Sequence, residues 1–353
     1  MSDSPFDSGS FLNFSDCLSG YRLSTLLLLI EKVALFDVVG EQGETSERIC
    51  AHIGWDNAYG KRFLNCLWRV GLLERGDGDL FHASRFSRTF LCRTSPAFQG
   101  RTLQFEQQLH QSWQFLDATL RAGQRIFAAG DKSAEELQKA FALYLGAMDE
   151  AATIRAEELW QELGPLPTKG RILDMGAGSG AYLAVFLDYY PKWQAIFSDL
   201  PQVVDCSSHH RLDPFFSRIS WCRANLLSEE SSEFETIESG SCDLVLLSNL
   251  IHCQGGEETA RILQRAAEKT APEGRLLIHD FFSDRGWRGA LYDLHMMLNT
   301  YNGRTYELQE CVDMVAGSGF SCHTTHALAS GSTLLAFSRS KSSAPFLSHE
   351  TTS

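Results

Sequence analysis

The chain has 353 residues, enough for two domains of roughly 150 residues each. Apolar residues make up 44% and charged residues 21%, which excludes a disordered, collagen-like or coiled-coil chain. Acidic residues outnumber basic ones 44 to 31, and the net charge of −13 argues against a phosphate backbone as the main partner.

No apolar run approaches the roughly 18 residues of a membrane span; Leu26 to Ile30 is far too short. Asp3, Asp7 and Asp16 precede the first basic residue, Arg22, so the start does not read as a secretion signal. Ten cysteines stand singly with no CxxC, and reduced thiols in a cytoplasmic protein are the expectation.

Residues 21–39 read as one helix. Apolar side chains surround it: Leu23, Leu26 to Ile30, Val33, Ala34 and Phe36. Such a helix must be buried on every side, which points to a partner surface covering it. Thr45 or Ser46 caps a short helix with Ile49 and Ile53 inward. Residues 57–74 read as a further helix with Phe63, Leu67, Val70 and Leu73 on one face, ended by Gly71. A hairpin turn at Asp77 and Gly78 leads to a strand at Leu80, Phe81 and His82. This order reads as a winged helix. Winged helices can bind DNA, and Lys61, Arg62, Arg69, Arg75, Arg85 and Arg88 lie on its second helix and wing. The net charge weighs against that, and no nucleic-acid partner is expected.

Residues 98–163 carry no strand signal. Ser133 and Glu136 have capping-box spacing, and Leu137, Phe141, Leu145, Met148, Ala152, Ala156 and Leu159 follow on one helical face. Gly164, Pro165 and Pro167 end that helix.

From Gly170 strands and helices alternate. Residues 171–176, 193–200, 242–252 and 274–282 read as buried strands, and 179–191 and 257–269 as helices. Near-continuous apolar strands of this kind imply an α/β fold, a largely parallel, doubly wound Rossmann-like sheet. Ligands of such sheets sit at the carboxyl ends of the strands. There the run from Asp174 through Gly176, Gly178 and Gly180 to Ala181 leaves a strand and opens a helix. Gly176 and Gly178 permit a tight turn and close backbone approach to a ligand. The spacing also satisfies GxGxxA, so a nicotinamide dinucleotide and S-adenosylmethionine are both weighed. A carboxylate at Asp174 would repel a pyrophosphate and suits the ammonium of an amino acid, which favours S-adenosylmethionine. Asp199 ends the next strand, where it can accept hydrogen bonds from both ribose hydroxyls. His252 ends an apolar strand and has the proton affinity of a general base. No HExxH or zinc spacing occurs, so no metal is expected. His209 and His210 read as a solvated loop pair.

These segments together resemble a known family. The runs ILDMGAGSGAYLAVFLDYYP, SDLPQVV, SNLIHCQGGEETARILQRAAE, DLHMMLNTYNGRTYELQECVDMVAGSGF and SWQFLDATLRAG are similar to class I S-adenosylmethionine-dependent O-methyltransferases of the small-molecule type. These are the plant caffeate, hydroxyindole and bacterial polyketide enzymes with an N-terminal winged-helix dimerisation domain. The resemblance runs from about Leu18 to Phe337.

It implies a homodimer with a winged-helix dimerisation domain at 1–100 and a helical connector at 101–165. A methyltransferase domain follows at 166–340, then a flexible tail at 341–353. Gly176 and Gly178 would approach the methionyl part of the cofactor, Asp199 its ribose and Leu200 its adenine. Asn225 and Leu226 stand where the family has Asp and an apolar residue near the adenine, and Ser248 where some members have Lys. His252 would be the base that deprotonates a hydroxyl of a hydrophobic or aromatic small molecule. Phe141, Met148, Met296 and Met297 would line the acceptor's pocket. The chain departs from the family at two places beside the base. Cys253 follows the histidine where Asp is usual. Of the two acids that orient the histidine, Asp280 occupies one place, whereas Gly303 stands where a Glu precedes Arg-Thr. These departures leave carbon methylation and non-methylating chemistry open as alternatives. Rival readings are an S-adenosylmethionine-sensing regulator and a nicotinamide oxidoreductase.

Overall fold

The structure, a computed structural model, describes residues 11–126, 133–206, 209–228 and 232–339, so the expected tail at 341–353 lies outside them. The chain divides into two units, one of residues 11–110 and 133–151, the other of the remaining described residues. Among the described residues no helix is long and apolar enough to cross a membrane.

In the first unit, the single helix expected over 21–39 is two. Tyr21–Lys32 ends at Val33, Ala34 adopts a left-handed conformation with φ 50°, and Leu35–Val39 follows. A non-glycine residue there costs on the order of 1–2 kcal/mol. The bend is offset by what it buries: Leu35, Phe36 and Val39 join Ile30, Ile49, Leu64, Leu67 and Phe81 in one core. Leu26 to Leu29 remain half-buried, and Phe11, Leu12, Leu18, Tyr21 and Leu23 are exposed, so the described residues do not cover this apolar surface.

Thr45 caps Ser46–Ile53, its hydroxyl accepting from the Arg48 amide, and Asp56 caps Asn57–Arg69 by accepting from Tyr59 N at 2.9 Å. The second of these helices buries Gly60, Leu64 and Leu67, not the expected line of Phe63, Leu67, Val70 and Leu73. Gly71 reverses the chain at φ 83°, with Leu72 N bonding back to the Leu67 carbonyl, so Val70 is left exposed and Leu73 already belongs to a strand. Strands β1 (Glu44–Thr45), β2 (Leu73–Arg75) and β3 (Leu80–Ala83) form an antiparallel sheet in the order β1-β3-β2. Ser133 and Glu136 cap one another reciprocally, Glu136 N donating to Ser133 Oγ and Ser133 N to Glu136 Oε2, and open the helix Ala134–Glu162.

The second unit is built on a seven-stranded sheet. Its strands are β4 (Arg171–Met175), β5 (Gln194–Asp199), β6 (Ile219–Arg223), β7 (Cys242–Ser248), β8 (Thr270–Asp280), β9 (Ser321–Ala327) and β10 (Thr333–Ser338). The order is β6-β5-β4-β7-β8-β10-β9. The first five are parallel, and β10 runs antiparallel to both β8 and β9. Helices on the faces bury the central strands from both sides, which is why β4, β5 and β7 are nearly continuous apolar runs. Strand β9 alternates exposed and half-buried residues, as suits an edge.

Strand β7 ends at Ser248, earlier than the expected 252, because Asn249 turns the chain at φ 52°. Leu247 lies fully buried in the core beside it. Leu247→Ala is expected to cost about 2–5 kcal/mol of stability, the range for removing a buried leucine side chain, read as a lower urea midpoint at unchanged slope.

Candidate active site

The glycine loop folds back on β5. Gly176 N donates to the Ser198 carbonyl at 2.8 Å, and Gly178 N donates to Asp199 Oδ2 at 2.7 Å. Leu200 N donates to the other Asp199 oxygen, also at 2.7 Å. Asp199 is thereby fixed at the end of β5 with a second lone pair on each oxygen still available. Gly178 has a φ of 58°, and the space where a side chain would stand is open. Behind the loop Asp174 is fully buried, and its Oδ2 has no hydrogen-bond partner. Burial, and then the charge of Asp199, push its carboxyl up to about 8. An orphaned buried carboxyl of this kind suits a cationic ligand, and Asp199 suits a vicinal diol.

The other expected cofactor residues are less uniform. Leu200 is exposed, Leu226 is buried, and exposed Asn225 uses its side-chain oxygen to accept from Leu227 N. Ser248 is buried in a network: its hydroxyl lies 2.9 Å from His279 Nδ1 and accepts from Asn249 Nδ2, which also donates to Tyr182 OH. His279 contacts Ser332 through its other nitrogen, and burial holds its pKa down at about 3, so it is neutral. His209 is not a solvated loop residue. Its two nitrogens face the carbonyls of Val203 (2.8 Å) and Ser179 (3.2 Å), and its ring packs on Phe197 and Trp221. It braces the end of the glycine loop, whereas His210 is exposed.

His252 lies on a 3-10 turn, Ile251–Cys253, rather than in β7. Its Nδ1 is 2.5 Å from Asp280 Oδ1, at the end of β8, and the same oxygen accepts from Phe281 N. Burial disfavours the imidazolium, but the adjacent Asp280 carboxylate outweighs it and holds the His252 pKa well above 6.5. On the far side Tyr292 OH is 3.4 Å from Nε2, with the two rings edge to face at 5.1 Å. Tyr292 packs against Phe281 at 4.5 Å and stacks on His295 at 5.5 Å.

Tyr292, Tyr182, Asn249 and His279 were not anticipated. A histidine and an aspartate ending the otherwise apolar run LLIHDFF were the available signal for the last of these. The glycine at 303 has a geometric cause. It is buried against the turn, and a side-chain carbon there would stand 2.5 Å from the His252 carbonyl oxygen. No acid fits at that position. Met297 lines a cavity of about 400 Å³ with Thr119, Leu120, Arg125, Asp293 and Gly303, while Met296 is buried. Phe141 and Met148 are half-buried on the helix Ala134–Glu162, in the first unit.

A family model describing an O-methyltransferase domain matches residues 104–321. The chain belongs to this family, and it is an S-adenosylmethionine-dependent O-methyltransferase. It is 25% identical over 326 residues to the acetylserotonin O-methyltransferase of Bos taurus, covering 86% of this chain and 90% of the relative. It is 24% identical to the tetracenomycin polyketide synthesis 8-O-methyl transferase of Streptomyces glaucescens, covering 88% of this chain and 91% of the relative. The structure of human N-acetylserotonin methyltransferase in complex with S-adenosylmethionine superposes with a TM-score of 0.78 at 18% identity, over 96% of this chain and 99% of that one.

The His252–Asp280 pair makes a testable statement about pH. With its folded pKa above the unfolded value of about 6.5, His252 stabilises the fold fully below about pH 6.5 and loses that contribution as pH rises through the raised value. In Asp280→Asn burial acts without the carboxylate, and the pKa is expected to fall below about 6.5. Histidine-selective NMR titration, assigned with His252→Gln, reads it directly; an unchanged value in Asp280→Asn would put the cause elsewhere.

Proposed function

We propose that the enzyme methylates a hydroxyl of a hydrophobic, aromatic small molecule and that His252 is the general base. The observation that carries this reading is the orientation of the imidazole. Asp280 holds Nδ1, which leaves Nε2 as the nitrogen that exchanges protons, on the side of Tyr292. The acetylserotonin, tetracenomycin and phenazine enzymes among the relatives are named for aromatic substrates, which supports an aromatic acceptor.

Asp199 would hold the ribose, the Gly176–Gly178 backbone would lie along the methionyl part, and Leu200 and Leu226 would border the adenine. Asp174 would receive the ammonium. When bound, S-adenosylmethionine supplies an electrophilic methyl group on its sulfonium. His252 Nε2 accepts the proton of the acceptor hydroxyl as that oxygen attacks, and Asp280 stabilises the imidazolium that results. In the neutral imidazole, the form that acts as base, Tyr292, whose hydroxyl is held protonated by burial, can donate to Nε2 before the acceptor engages it. Met297 and its cavity would border the acceptor.

The first unit would be a winged helix that pairs two copies of the chain. The exposed Phe11, Leu12, Leu18, Tyr21 and Leu23, with half-buried Leu26 to Leu29, are a surface that a second copy would cover. The cytoplasm would be the setting, since reduced cysteines persist best there. Light scattering at micromolar concentration is expected to give twice the chain mass, and a monomer would exclude this assembly.

Methyl transfer from radiolabelled S-adenosylmethionine to a panel of hydroxylated indoles, phenazines and polycyclic phenols tests the activity. On the accepted compound His252→Ala is expected to lower turnover by about 10²–10⁴-fold with cofactor affinity nearly unchanged. Full turnover in that variant would remove the base. Asp199→Ala is expected to weaken cofactor binding by about 1.5–3 kcal/mol, measured by calorimetry.

A further inference from the structure

Tyr292 lies in the middle of the helix Gly286–Asn299, and its hydroxyl is 3.4 Å from His252 Nε2. That is longer than the roughly 2.7–3.2 Å of a well-formed hydrogen bond. His252 Nε2 is the one hydrogen-bond partner of this hydroxyl among the described residues. Packing holds the ring in place. Phe281 lies against it with centroids 4.5 Å apart, and His295, three residues along the same helix face, stacks on it. A half-buried phenol is thus fixed beside the nitrogen that exchanges protons, yet only loosely bonded to it.

Two donor atoms 3.4 Å apart can both reach a single oxygen standing about 2.8 Å from each. Charge decides what kind of oxygen that is. Asp280 takes His252 Nδ1 at 2.5 Å and favours the imidazolium, whose Nε2 then carries a proton. Burial keeps the proton on Tyr292. Both groups then have a hydrogen to donate. The charge of Asp280 bears on both residues, and it is matched by the imidazolium. A second carboxylate at 303 is sterically excluded. Of the other ionisable neighbours, Cys253 bears on both residues, and Arg155, over the Phe281 ring at 5.1 Å, adds a cation near Tyr292. His295 is kept neutral by burial and by the charge of His252. An oxygen that enters between Nε2 and the phenol therefore meets two donors beside an ion pair of net charge zero.

We propose that Tyr292 is a second catalytic group, forming with His252 a two-donor cradle that holds the methyl acceptor as an oxyanion, so that phenols and enols are taken rather than aliphatic alcohols. This rests on the base proposed above. The O–H bond of the methyl acceptor breaks, its proton goes to His252 Nε2, its electron pair stays on the oxygen, and Tyr292 keeps its own proton. A molecule that arrives already ionised meets the imidazolium and forms the same complex. Fixed donors aimed at a developing oxyanion are worth most where water is excluded, as it is around this nearly buried imidazole.

Absorbance titration of bound phenols tests it. The full chain is saturated with S-adenosylhomocysteine, which has no methyl group to give, and the probes are 1-hydroxyphenazine and 4-nitrophenol, whose anions absorb at longer wavelength than their neutral forms. Each probe is expected to ionise at a lower pH when bound than when free. Tyr292→Phe keeps the ring packing and is expected to raise the bound value by about 1–2 pH units, the equivalent of one charge-assisted hydrogen bond. It is also expected to lower turnover of the accepted compound by about 10- to 100-fold with S-adenosylhomocysteine affinity unchanged. His252→Gln is expected to raise the bound value as well. If His252→Gln raises it and Tyr292→Phe leaves it at the parent's, Tyr292 alone is removed and the base stands. A bound value no lower than the free one overturns the cradle, and the base is then judged separately from the turnover of His252→Ala. Lost S-adenosylhomocysteine affinity in Tyr292→Phe would mark a structural role and overturn the assignment. Exclusion of both phenols from the site overturns it too, since the cradle is expected to hold any small aryl oxyanion.

Discussion

Three carboxylates gathered at one edge of a parallel sheet set the terms for the rest of this site. Asp199 and Asp280 end β5 and β8, Asp174 stands one residue before the end of β4, and each is largely shielded from water. Negative charges in such a place repel one another and lose hydration, so each needs a compensating group. Asp199 has two backbone amides, from Gly178 and Leu200. Asp280 has an imidazole and the Phe281 amide. Asp174 has burial and a like charge next to it, which push its carboxyl up to about 8 and leave it in need of a compensating cation. The fold of the loop and the orientation of His252 follow from how these three acids are settled.

The turn that carries His252 is held by contacts to its backbone more than by acids. Thr259 Oγ1 donates to the Ile251 carbonyl, Tyr306 OH donates to the Gln254 carbonyl, and Gly303 sits against the His252 carbonyl with no room for a side chain. Gly303 N is itself fixed by Thr300 Oγ1 at 2.9 Å. Close packing of main chain on main chain thus limits the motion of His252 where a second carboxylate does so in the resembled family. The local charge changes accordingly: the imidazole answers to one anion, and its outer nitrogen meets a neutral phenol.

Much of this was legible in the residues. The glycine spacing located the loop, because a chain that turns sharply from a strand into a helix needs residues that adopt positive φ. The capping box at Ser133 and Glu136 and the hairpin at Asp77 and Gly78 were equally local signals. What was not legible depends on contacts distant in sequence. Nothing in the run 21–39 announces a left-handed Ala34, since the bend is stabilised by a core contributed from elsewhere. Strand β9, with its threonines and histidines, lacks an apolar pattern, and the antiparallel return of β10 depends on which edge remains open. His209 looked like a polar loop residue because its two carbonyl partners, at 179 and 203, come from different elements.

The place of β10 bears on how the molecule acquires its shape. This strand, residues 333–338, is wedged between β8 and β9, and it covers the edge of the strand that ends in Asp280. Ser332, just before it, completes the contacts of His279. As the chain leaves the ribosome, β4 to β8 emerge well before the segment that closes them. Until then β8 presents an open row of amides and carbonyls, and the apolar side chains of Leu276 and Ile278 lack their cover. An unpaired strand edge of this kind invites association, and pairing with β10 is what covers the edge of the strand that carries Asp280.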